Sequence, residues 1–424
     1  MTKITCQDPE CAFENRDTAL FCGNCGHIFC DDGWSGLNRN NMMNRYIPFK
    51  STGLSEKIPQ STYIQSFGNP LIDKKRLISF TGNEIRITRL NNIHDMSGVI
   101  DDVFAVPGGV VHSSSAVFMP PYVYYPTNGS IIRYHIGKSD AEIEEAEKNE
   151  FISHTYPIGI KSGEKSFLVL PYKKNSALFI LTINKYHQIE DRTEITVGEL
   201  FAAKNDAIGK IVYSPKTDQI IVLSKSHKIS RVSLPSLGVD GCDEDIFDDA
   251  EIIESSVPCV IENMMYLLCL SAGNSISLII KDLTGEFKTG YSVITEVDKL
   301  SRNLKTKYFL HPPLPFSDGV IVSKDETCFC TIKYNPAIGD TQARAQAIPV
   351  KNNGHWNALS IADDVLFLCD GEVKILDTKK CEDTSLWQIR DNKNDDLFVG
   401  FFFYEKYLYM VYEDYISFVA LVNP

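Results

Sequence analysis

Eight short hairpin patterns recur along the chain from about residue 61 to its end. Each has two runs rich in β-branched and aromatic residues, separated by a short polar or glycine-containing turn. The turns centre near Gly82, Gly129, Lys174, Ser226, Gly273, Asp325, Gly371 and Glu413. Successive turns are therefore 42 to 52 residues apart. A step of about 40–50 residues in all-strand sequence is typical of propeller blades, each a four-stranded sheet.

This period predicts an all-β fold, a seven- or eight-bladed β-propeller over residues 61–424. The eight hairpins favour eight blades, and seven would follow if one hairpin were an insertion or a split blade. A β-sandwich would give turn signals without this long period. No repeat carries a Gly-His…Trp-Asp pair, a sialidase-type box or the tryptophan-docking motif of quinoprotein dehydrogenases. The last apolar run, residues 415–422, should complete a blade that a strand near residues 63–67 also joins.

Two cysteine pairs lie within the first 30 residues, and they are Cys6, Cys11, Cys22 and Cys25. Thiolates in two short-spaced pairs supply the tetrahedral ligand set that Zn²⁺ prefers. A segment this short has almost no hydrophobic core without metal, so zinc binding would supply its folding free energy. We therefore predict one structural Zn²⁺ held by these four cysteines. His27 and Cys30 are further potential ligands, and either could replace one of the four.

The string CAFENRDTALFCGNCGHIF, residues 11–29, resembles the prokaryotic zinc-ribbon pattern. The residues that carry the resemblance are Asn15, Ala19, Phe21, Cys22, Cys25 and Gly26. In that family the ribbon is a short N-terminal Cys₄ module, fused to varied downstream domains, that usually serves assembly. The resemblance implies a bacterial protein with a docking module. The first pair here is spaced by four residues, where two are commoner.

The same spacing is similar to nuclear-pore-type zinc fingers, which bind ubiquitin or single-stranded RNA. Two positions depart from that pattern. Ile4 and Thr5 stand where those fingers have a Trp before the first cysteine, and Ala12-Phe13 replaces the Thr-Phe pair that contacts ubiquitin. Recognition of a ubiquitin-like protein or of single-stranded nucleic acid by the ribbon is therefore kept as an alternative function.

The net charge and the distribution of cysteines limit the classes of partner and the cellular compartment that are expected. The net charge of −13 repels phosphate backbones, so nucleic acid is an unlikely partner. Most cysteines outside the zinc pattern lie in apolar runs, where free thiols behave as small hydrophobic side chains. An intact Cys₄ site requires a reducing compartment. The N-terminus lacks a signal-peptide core, and no run of about 18 apolar residues could span a membrane. We therefore expect a cytoplasmic protein.

The domain prediction is a zinc ribbon over 1–30, a linker over 31–60 and the propeller over 61–424. Within the propeller, residues 139–149 carry a helix signal because Ser139 and Glu142 form a capping-box pattern. We expect a solvated helical insertion there, or a docking helix for a basic partner. Residues 240–254 hold eight carboxylates without the spacing of a calcium loop. They predict a solvated loop, with calcium binding or an acidic recognition surface as alternatives.

No catalytic motif is present in the sequence. The nine histidines form no HxH or HExxH pattern, and GxSxG, P-loop and GxGxxG motifs are missing. Cys328 and Cys330 alternate along one predicted strand and share a face. We interpret them as packed thiols, with a second metal or redox site as the alternative.

The sequence therefore favours a non-catalytic interaction or scaffold protein of a larger assembly. The propeller faces and the zinc ribbon would dock protein partners, with surface tyrosines as anchors. Candidate anchors are Tyr122, Tyr124, Tyr125 and the 413–418 region, although packing within a strand is the competing interpretation for each. An alternative is an enzyme, a hydrolase or lyase, with residues from several blades in a central funnel. The sequence gives no oligomeric state.

Overall fold

The computed structural model describes part of the chain. The described residues are 3–5, 14–16, 46–47, 60–62, 64, 70–72, 76–81, 84–97, 99–106, 116–119, 121–127, 130–136, 140–145, 157–172, 176–202, 206–243, 252–261, 264–271, 275–284, 290–296, 313–316, 319–325, 328–333, 344–349, 359–361, 364–369, 372–377, 382–388, 398–404, 407–412 and 415–420. The chain divides into two compact units. The first unit is Met1–Ser35, Arg45–Ser113 and Val350–Pro424, and the second is Gly36–Asn44 and Ser114–Pro349.

The N-terminal part of the first unit contains four short strands. They are β1 (Lys3–Thr5), β2 (Glu14–Arg16), β3 (Tyr46–Ile47) and β4 (Gln60–Thr62). Strands β1 and β2 pair antiparallel as a separate two-stranded sheet, with Lys3 opposite Arg16. Strands β3 and β4 join larger sheets made by the C-terminal part of the same unit.

Sheet 1 follows in the first unit and is antiparallel. Its strands, in spatial order, are β5 (Leu71–Ile72), β6 (Arg76–Thr81), β7 (Glu84–Arg89) and β8 (Asp102–Ala105). Helix α1 (Leu90–His94) connects β7 towards β8 and buries Leu90 and Ile93. Strand β6 is buried on both faces from Leu77 to Thr81, so both faces of the sheet are covered along this strand.

The second unit contains sheets 2 to 6, each built mainly from four consecutive antiparallel strands. Sheet 2 comprises β9 (Val117–Met119), β10 (Tyr122–Thr127), β11 (Ser130–His135) and β12 (Asp140–Glu145). Sheet 3 comprises β13 (Ile158–Ser162), β14 (Lys165–Tyr172), β15 (Ala177–Ile183) and β16 (Ile189–Thr196), and helix α2 (Val197–Phe201) follows it. Sheet 4 comprises β17 (Ile208–Ser214), β18 (Gln219–Ser224), β19 (Ile229–Ser233) and β20 (Gly238–Asp243).

Sheet 5 has five strands because two short ones, β21 and β22, both pair with β23. Its strands are β21 (Ile252–Ser255), β22 (Cys259–Ile261), β23 (Met264–Ser271), β24 (Ser275–Asp282) and β25 (Gly290–Glu296). Sheet 6 comprises β26 (Leu314–Phe316), β27 (Gly319–Asp325), β28 (Cys328–Lys333) and β29 (Arg344–Pro349).

Sheets 7 and 8 return to the first unit. Sheet 7 comprises β30 (Leu359–Ile361), β31 (Asp364–Cys369), β32 (Glu372–Asp377) and β33 (Glu382–Gln388), and β3 adds to β30 as a parallel edge strand. Sheet 8 comprises β34 (Phe398–Tyr404), β35 (Tyr407–Tyr412) and β36 (Ile416–Ala420), and β4 pairs with β36. The predicted pairing of the last strand with an N-terminal strand is confirmed, and the described strand that makes it is Gln60–Thr62. Of the predicted residues 63–67, only Ile64 lies in the described part of the chain.

All eight predicted hairpins are confirmed in the described part of the chain. Each supplies two adjacent strands of a different sheet, from β6 and β7 in sheet 1 to β35 and β36 in sheet 8. The hairpin count therefore predicted the number of four- and five-stranded sheets found among the described strands, to which β1 and β2 add a separate two-stranded sheet. The sequence period corresponds to one sheet of four or five strands.

The helix predicted over residues 139–149 is wrong for its described part, which is strand β12. Residues Asp140–Glu145 pair antiparallel with β11, with Ala141 opposite Tyr134 and Ile143 opposite Ile132. Ala141 and Ile143 alternate with polar residues, which is the period of a strand. The capping-box signal is local, whereas pairing with β11 supplies backbone hydrogen bonds along six residues, so the tertiary setting overrides the propensity.

A cluster of buried apolar side chains in the second unit extends across sheets 3, 4 and 5. Apolar side chains from β14, β18 and β23 are almost fully buried, as Phe167, Ile220 and Leu267 illustrate. Helix α2 adds Leu200 and Phe201, and a Thr196–Glu199 capping box fixes its start. Among the described residues, no helix is long and apolar enough to cross a membrane.

Two of the cysteines that lie in apolar runs are buried free thiols, as predicted. Cys259 and Cys269 of sheet 5 are in this state, and burial raises the pKa of both thiols. They are therefore protonated and poorly reactive. Cys328 and Cys330 lie two residues apart on β28, as expected, and their side chains are outside the described residues.

Candidate functional site

A cluster of aromatic and basic side chains forms where sheets 2 and 3 adjoin. Tyr122 opens β10 and stands opposite His135, the last residue of β11. Their rings meet edge to face, with centroids 4.9 Å apart and an interplanar angle of 85°. The guanidinium carbon of Arg133 lies 4.6 Å from the centroid of the Tyr122 ring. Edge-to-face rings and a cation over a ring face are both attractive arrangements, so Tyr122 is held in place.

The loop of residues 184–188, between β15 and β16, brings sheet 3 to this cluster. Nη1 of Arg133 donates to the carbonyl oxygen of His187 at 2.8 Å, and the His187 ring centroid lies 5.9 Å from that of Tyr122. His187 has a φ of 62°, in the left-handed region. Oδ1 of Asn184 accepts from the backbone N–H groups of Tyr186 at 2.9 Å and Gln188 at 3.0 Å. The loop is therefore ordered by its own hydrogen bonds and by sheet 2.

This ordered loop presents Tyr186 to solvent. Tyr186 is 72% exposed, the highest value among the large apolar side chains that the structure describes. Nζ of Lys185 lies 5.6 Å from its ring centroid and 3.4 Å from the Glu164 carboxylate. We call the group of Tyr122, Arg133, Lys185, Tyr186 and His187 the Tyr186 surface.

The imidazole of the Tyr186 surface is neutral near pH 7. Burial lowers the pKa of His187, and electrostatic interactions with His135, Arg133 and Lys161 lower it further. A neutral imidazole, two tyrosine rings and a fixed guanidinium group can stack, accept and donate hydrogen bonds. The arrangement offers contact chemistry, typical of binding surfaces, because Tyr and Arg dominate interface energetics.

The predicted tyrosine anchors on β10 differ in burial according to their position along the strand. Tyr124 and Tyr125 are buried, and Tyr124 packs with Leu168 and Leu170 of β14. Packing within a strand is therefore the correct interpretation for these two. Tyr122 is half-buried and joins the Tyr186 surface. In the 413–418 region, the Tyr415 ring stacks on that of Tyr412, with centroids 4.3 Å apart.

A second polar cluster lies where sheets 4 and 5 adjoin. The Asp206 carboxylate accepts from the backbone N–H of Ala207 at 2.8 Å and from the Ser226 hydroxyl. Burial opposes ionisation of Asp206, but these hydrogen bonds prevail and lower its pKa. The ammonium of Lys210 donates to the carbonyl oxygens of Ser255 and Ser256, the latter at 2.7 Å.

His227 completes this second cluster, and its pKa is lowered by burial and by the charge of Lys210, against the effect of Asp206. The Asp206 carboxylate is engaged by hydroxyl and amide donors, and the Lys210 ammonium is engaged by carbonyl oxygens. The geometry is that of a structural bridge between sheets.

A similar bridge joins sheets 3 and 4. The Asp218 carboxylate accepts from the Ser162 hydroxyl at 2.6 Å and from the Tyr213 hydroxyl at 2.8 Å. Burial and the hydrogen bond to Asp218 raise the pKa of Tyr213. In the first unit, Nε2 of His94 lies 3.0 Å from the Tyr409 hydroxyl, which links α1 to sheet 8. Each bridge holds neighbouring sheets of one unit together.

The predicted zinc ligands Cys6, Cys11, Cys22 and Cys25 lie outside the described residues, as do His27 and Cys30. Among the residues that are described, no three His, Cys, Asp or Glu side chains come close enough together to hold a metal ion. In the acidic segment, the Asp240 carboxylate accepts from Nε2 of Gln219 at 2.9 Å and from the Ser233 hydroxyl. Residues 244–251 of that segment are outside the described ranges.

Sequence reasoning did not single out Arg133, His187 or Tyr186. Arg133 and His187 are 54 positions apart and meet only when sheets 2 and 3 pack together. A weak signal was present, because Tyr186 stands in the polar turn Asn-Lys-Tyr-His between two apolar strands. A large aromatic residue in such a turn has no strand face on which to be buried.

No known protein family matches the sequence, and no curated protein is similar to it in sequence. Solved structures are similar in fold. A europium-containing methanol dehydrogenase matches with a TM-score of 0.57 and 10% identity over 89% of each chain. BamB from Moraxella catarrhalis matches with a TM-score of 0.52 and 10% identity, over 86% of this chain and 100% of that one. The WD40 domain of SCAP from fission yeast gives a TM-score of 0.47 and 11% identity, over 85% and 98%. The first two likenesses show that the fold is an all-β propeller.

Proposed function

We propose that this chain is a non-catalytic interaction protein that docks a protein partner through the Tyr186 surface. The observation that carries the proposal is the 72% exposure of Tyr186 on a loop fixed by Asn184 and by the Arg133–His187 hydrogen bond. An ordered loop loses little conformational entropy on binding. Tyrosine supplies a large contact area with few rotatable bonds.

Charged pairs around the ring support the same function. Lys185 pairs with Glu164 at 3.4 Å, and Lys165 pairs with Glu190 at 3.3 Å. All four side chains are at least two-fifths exposed, so each pair contributes little to stability. An aromatic centre with a polar rim of both signs is the usual anatomy of a protein interface. We expect the partner to provide an apolar pocket for the Tyr186 ring.

The test is affinity purification of the full-length chain from its own cells, with the partners identified and quantified by mass spectrometry. We expect Tyr186→Ala to reduce recovery of the main partner and to weaken its Kd about 30-fold, which corresponds to a hot spot of about 2 kcal/mol. Tyr186→Phe should keep most of the affinity. Lys216→Ala, at another exposed position of the second unit, is the matched control. Full recovery of every partner by Tyr186→Ala would refute the proposal.

We also propose that the N-terminal segment is a zinc ribbon in which Cys6, Cys11, Cys22 and Cys25 hold one Zn²⁺. The pairing of β1 with β2 supports this, because it makes residues 6–13, with Cys6 and Cys11, the connection of a hairpin. An isolated two-stranded hairpin is marginally stable in water, and bound Zn²⁺ would supply the missing free energy. The buried free thiols Cys259 and Cys269 support a reducing, cytoplasmic location.

Zinc content measured by atomic emission tests the ribbon. Cys22→Ser/Cys25→Ser should lose one zinc per chain, while the main thermal transition stays unchanged because the sheets do not depend on the metal. Cys30→Ser should keep the zinc. Loss of zinc in Cys30→Ser would assign Cys30 as a ligand, and loss of the main transition in the double variant would show that the two modules fold together.

A further inference from the structure

His187 connects the 184–188 loop to sheet 2. Its backbone is left-handed, and its N–H donates to the carbonyl oxygen of Asn184 at 2.9 Å. Its own carbonyl oxygen accepts from Nη1 of Arg133 at 2.8 Å, and its ring centroid lies 5.9 Å from that of Tyr122. A change of charge on the imidazole would therefore act on the same contacts that fix Tyr186 in its exposed position.

The groups that face the His187 ring disfavour a positive charge on it. Arg133 on β11 and Lys161 on β13 are cations that interact electrostatically with the ring, and His135 on β11 is a second imidazole that does so. Tyr122 on β10 already has the guanidinium carbon of Arg133 at 4.6 Å from its ring centroid. A protonated imidazole here would be partly withdrawn from water and would lie near two permanent cations.

Carboxylate residues stand opposite or pair with the basic groups of this region, and they are Asp140, Glu142, Glu164 and Glu190. The first two stand opposite His135 and Arg133 in the ladder of β11 and β12. The other two pair with Lys185 at 3.4 Å and with Lys165 at 3.3 Å. The pKa of His187 is lowered in the presence of these groups, with burial as the largest cause.

We propose that His187 is a pH-sensitive switch of the Tyr186 surface, which docks its partner while the imidazole is neutral and releases it when the imidazole takes up a proton. The added charge would repel the Arg133 guanidinium and weaken its hydrogen bond to the His187 carbonyl oxygen. The loop would then lose its attachment to sheet 2. The inference rests on the proposed docking function and adds the regulation of that site.

The sign of the pH dependence follows from linkage. A partner that covers Tyr186 also removes water from the His187 ring, which disfavours the charged form further, so docking releases a proton. Affinity is complete above about pH 6.5, because the pKa of His187 in the free chain is lowered from 6.5. Below that pKa it falls by at most about tenfold per pH unit, the limit for one proton. A partner carboxylate placed on the imidazole would give the opposite sign.

Hydrogen exchange of the full-length free chain tests the loop. After correction for the intrinsic exchange rate, protection of the 184–188 amides should be lower by about threefold or more at pH 5.0 than at pH 7.5. His187→Asn should abolish this difference, because asparagine does not titrate and tolerates left-handed backbone. His227→Asn is the matched control and should behave like the wild type. His227 is also left-handed, with a φ of 66°, and has a lowered pKa, but it lies between β18 and β19.

Elution from a resin that carries the full-length chain tests docking. The probe is the set of proteins from its own cells that the wild-type resin retains and a Tyr186→Ala resin does not. Bound at pH 7.5, they should elute at pH 5.0 from the wild type and from His227→Asn, and stay on His187→Asn.

Two kinds of result would overturn the switch. Equal elution from the wild type and His187→Asn, tighter retention at pH 5.0, or loop exchange that does not depend on pH would refute the switch and leave docking through Tyr186 intact. Retention of every protein by the Tyr186→Ala resin would instead refute the docking function, and the switch of docking with it.

Discussion

A single glycine allows β9 and β13 to approach closely. A Cβ built on Gly159 of β13 would lie 2.6 Å from Cγ of Met119 and 2.6 Å from Cγ1 of Val117. Cβ atoms in proteins essentially never come within 3.0 Å of another heavy atom in this way. Val117 is stiff at χ1 and cannot move aside easily. The hydrogen of Gly159 is therefore a requirement of packing between sheets 2 and 3.

We expect Gly159→Ala to lower the free energy of unfolding by about 1–3 kcal/mol through overpacking. Gly198→Ala is the matched control, since Gly198 lies in α2 and the nearest atom to its added Cβ would be Oγ1 of Thr196 at 3.8 Å. That variant should raise stability by about 0.5–1 kcal/mol, because alanine favours helix. Urea unfolding measures both. Equal effects of the two variants would show that β9 and β13 are not tightly packed.

Two tyrosines of one motif differ in burial, and the sequence could not predict the difference. Tyr122 and Tyr124 lie on the same face of β10 by alternation. Tyr124 is buried because β14 of the next sheet covers it, whereas Tyr122 lies at the strand end, beside the 184–188 loop. Burial here depends on a sheet some 40 residues further along the chain.

At the level of elements, polar side chains tie neighbouring sheets of the second unit together. Arg133 reaches the carbonyl of His187 between sheets 2 and 3, Asp218 receives Ser162 between sheets 3 and 4, and Lys210 reaches Ser256 between sheets 4 and 5. Apolar contacts between sheets are not directional. Hydrogen bonds at fixed positions therefore set the register of one sheet on the next.

Removal of one such bridge should cost stability and change a neighbouring titration. Lys210→Met leaves the carbonyl oxygens of Ser255 and Ser256 without their donor, and we expect a loss of about 1–3 kcal/mol. The pKa of His227 should rise, because the charge of Lys210 lowers it. Denaturant unfolding and an NMR titration of the imidazole measure the two effects. Lys225→Met, at an exposed position in the turn between β18 and β19, should change neither appreciably.

The sequence predicted those elements whose signals are local. Alternating apolar residues on both sides of a polar turn identified all eight hairpins, because each hairpin contains its own pattern and turn. Strand β12 was missed because its capping signal is also local but loses to pairing with β11. The double strand β21 and β22 and the parallel edge strand β3 were not predicted, since each exists only through a distant partner.

For the molecule as a whole, two partly buried histidines with lowered pKa values make stability depend on pH. His187 and His227 both have a pKa lowered from 6.5, with burial as the largest cause. The unfolded chain therefore binds protons more readily than the folded one. The stability that these residues contribute is complete above about pH 6.5 and is lost as the pH falls towards their folded pKa values.

We expect a lower urea midpoint at pH 5.5 than at pH 7.5. Replacement of both histidines, His187→Gln/His227→Gln, should reduce this difference, because glutamine does not titrate. The carboxyl groups of Asp206 and Glu199 have lowered pKa values, so the stability that they contribute is constant above about pH 4.5 and is lost only at lower pH, outside this range. An unchanged pH dependence in the double variant would assign the effect to other groups.

The fold class was predictable at this scale and the docking surface was not. A step of about 45 residues in strand sequence has few architectural solutions, so the period alone indicated a propeller. The Tyr186 surface joins two sheets and has an ordinary composition, and only the exposure of Tyr186 in the folded chain distinguishes it.

The pairing of β4 with β36 in sheet 8 has a consequence for folding during synthesis. Its strands β4 and β36 are more than 350 positions apart, and Ile416 stands opposite Thr62. A ribosome that adds about 5–20 residues per second needs at least about 18 seconds to produce β36 after β4. During that time β4 lacks its partner, and sheets 1 to 7 can form while sheet 8 cannot. Emergence of β36 should therefore be the step that completes sheet 8, and a nascent chain stalled before residue 416 should bind chaperones through β4, which then lacks its partner.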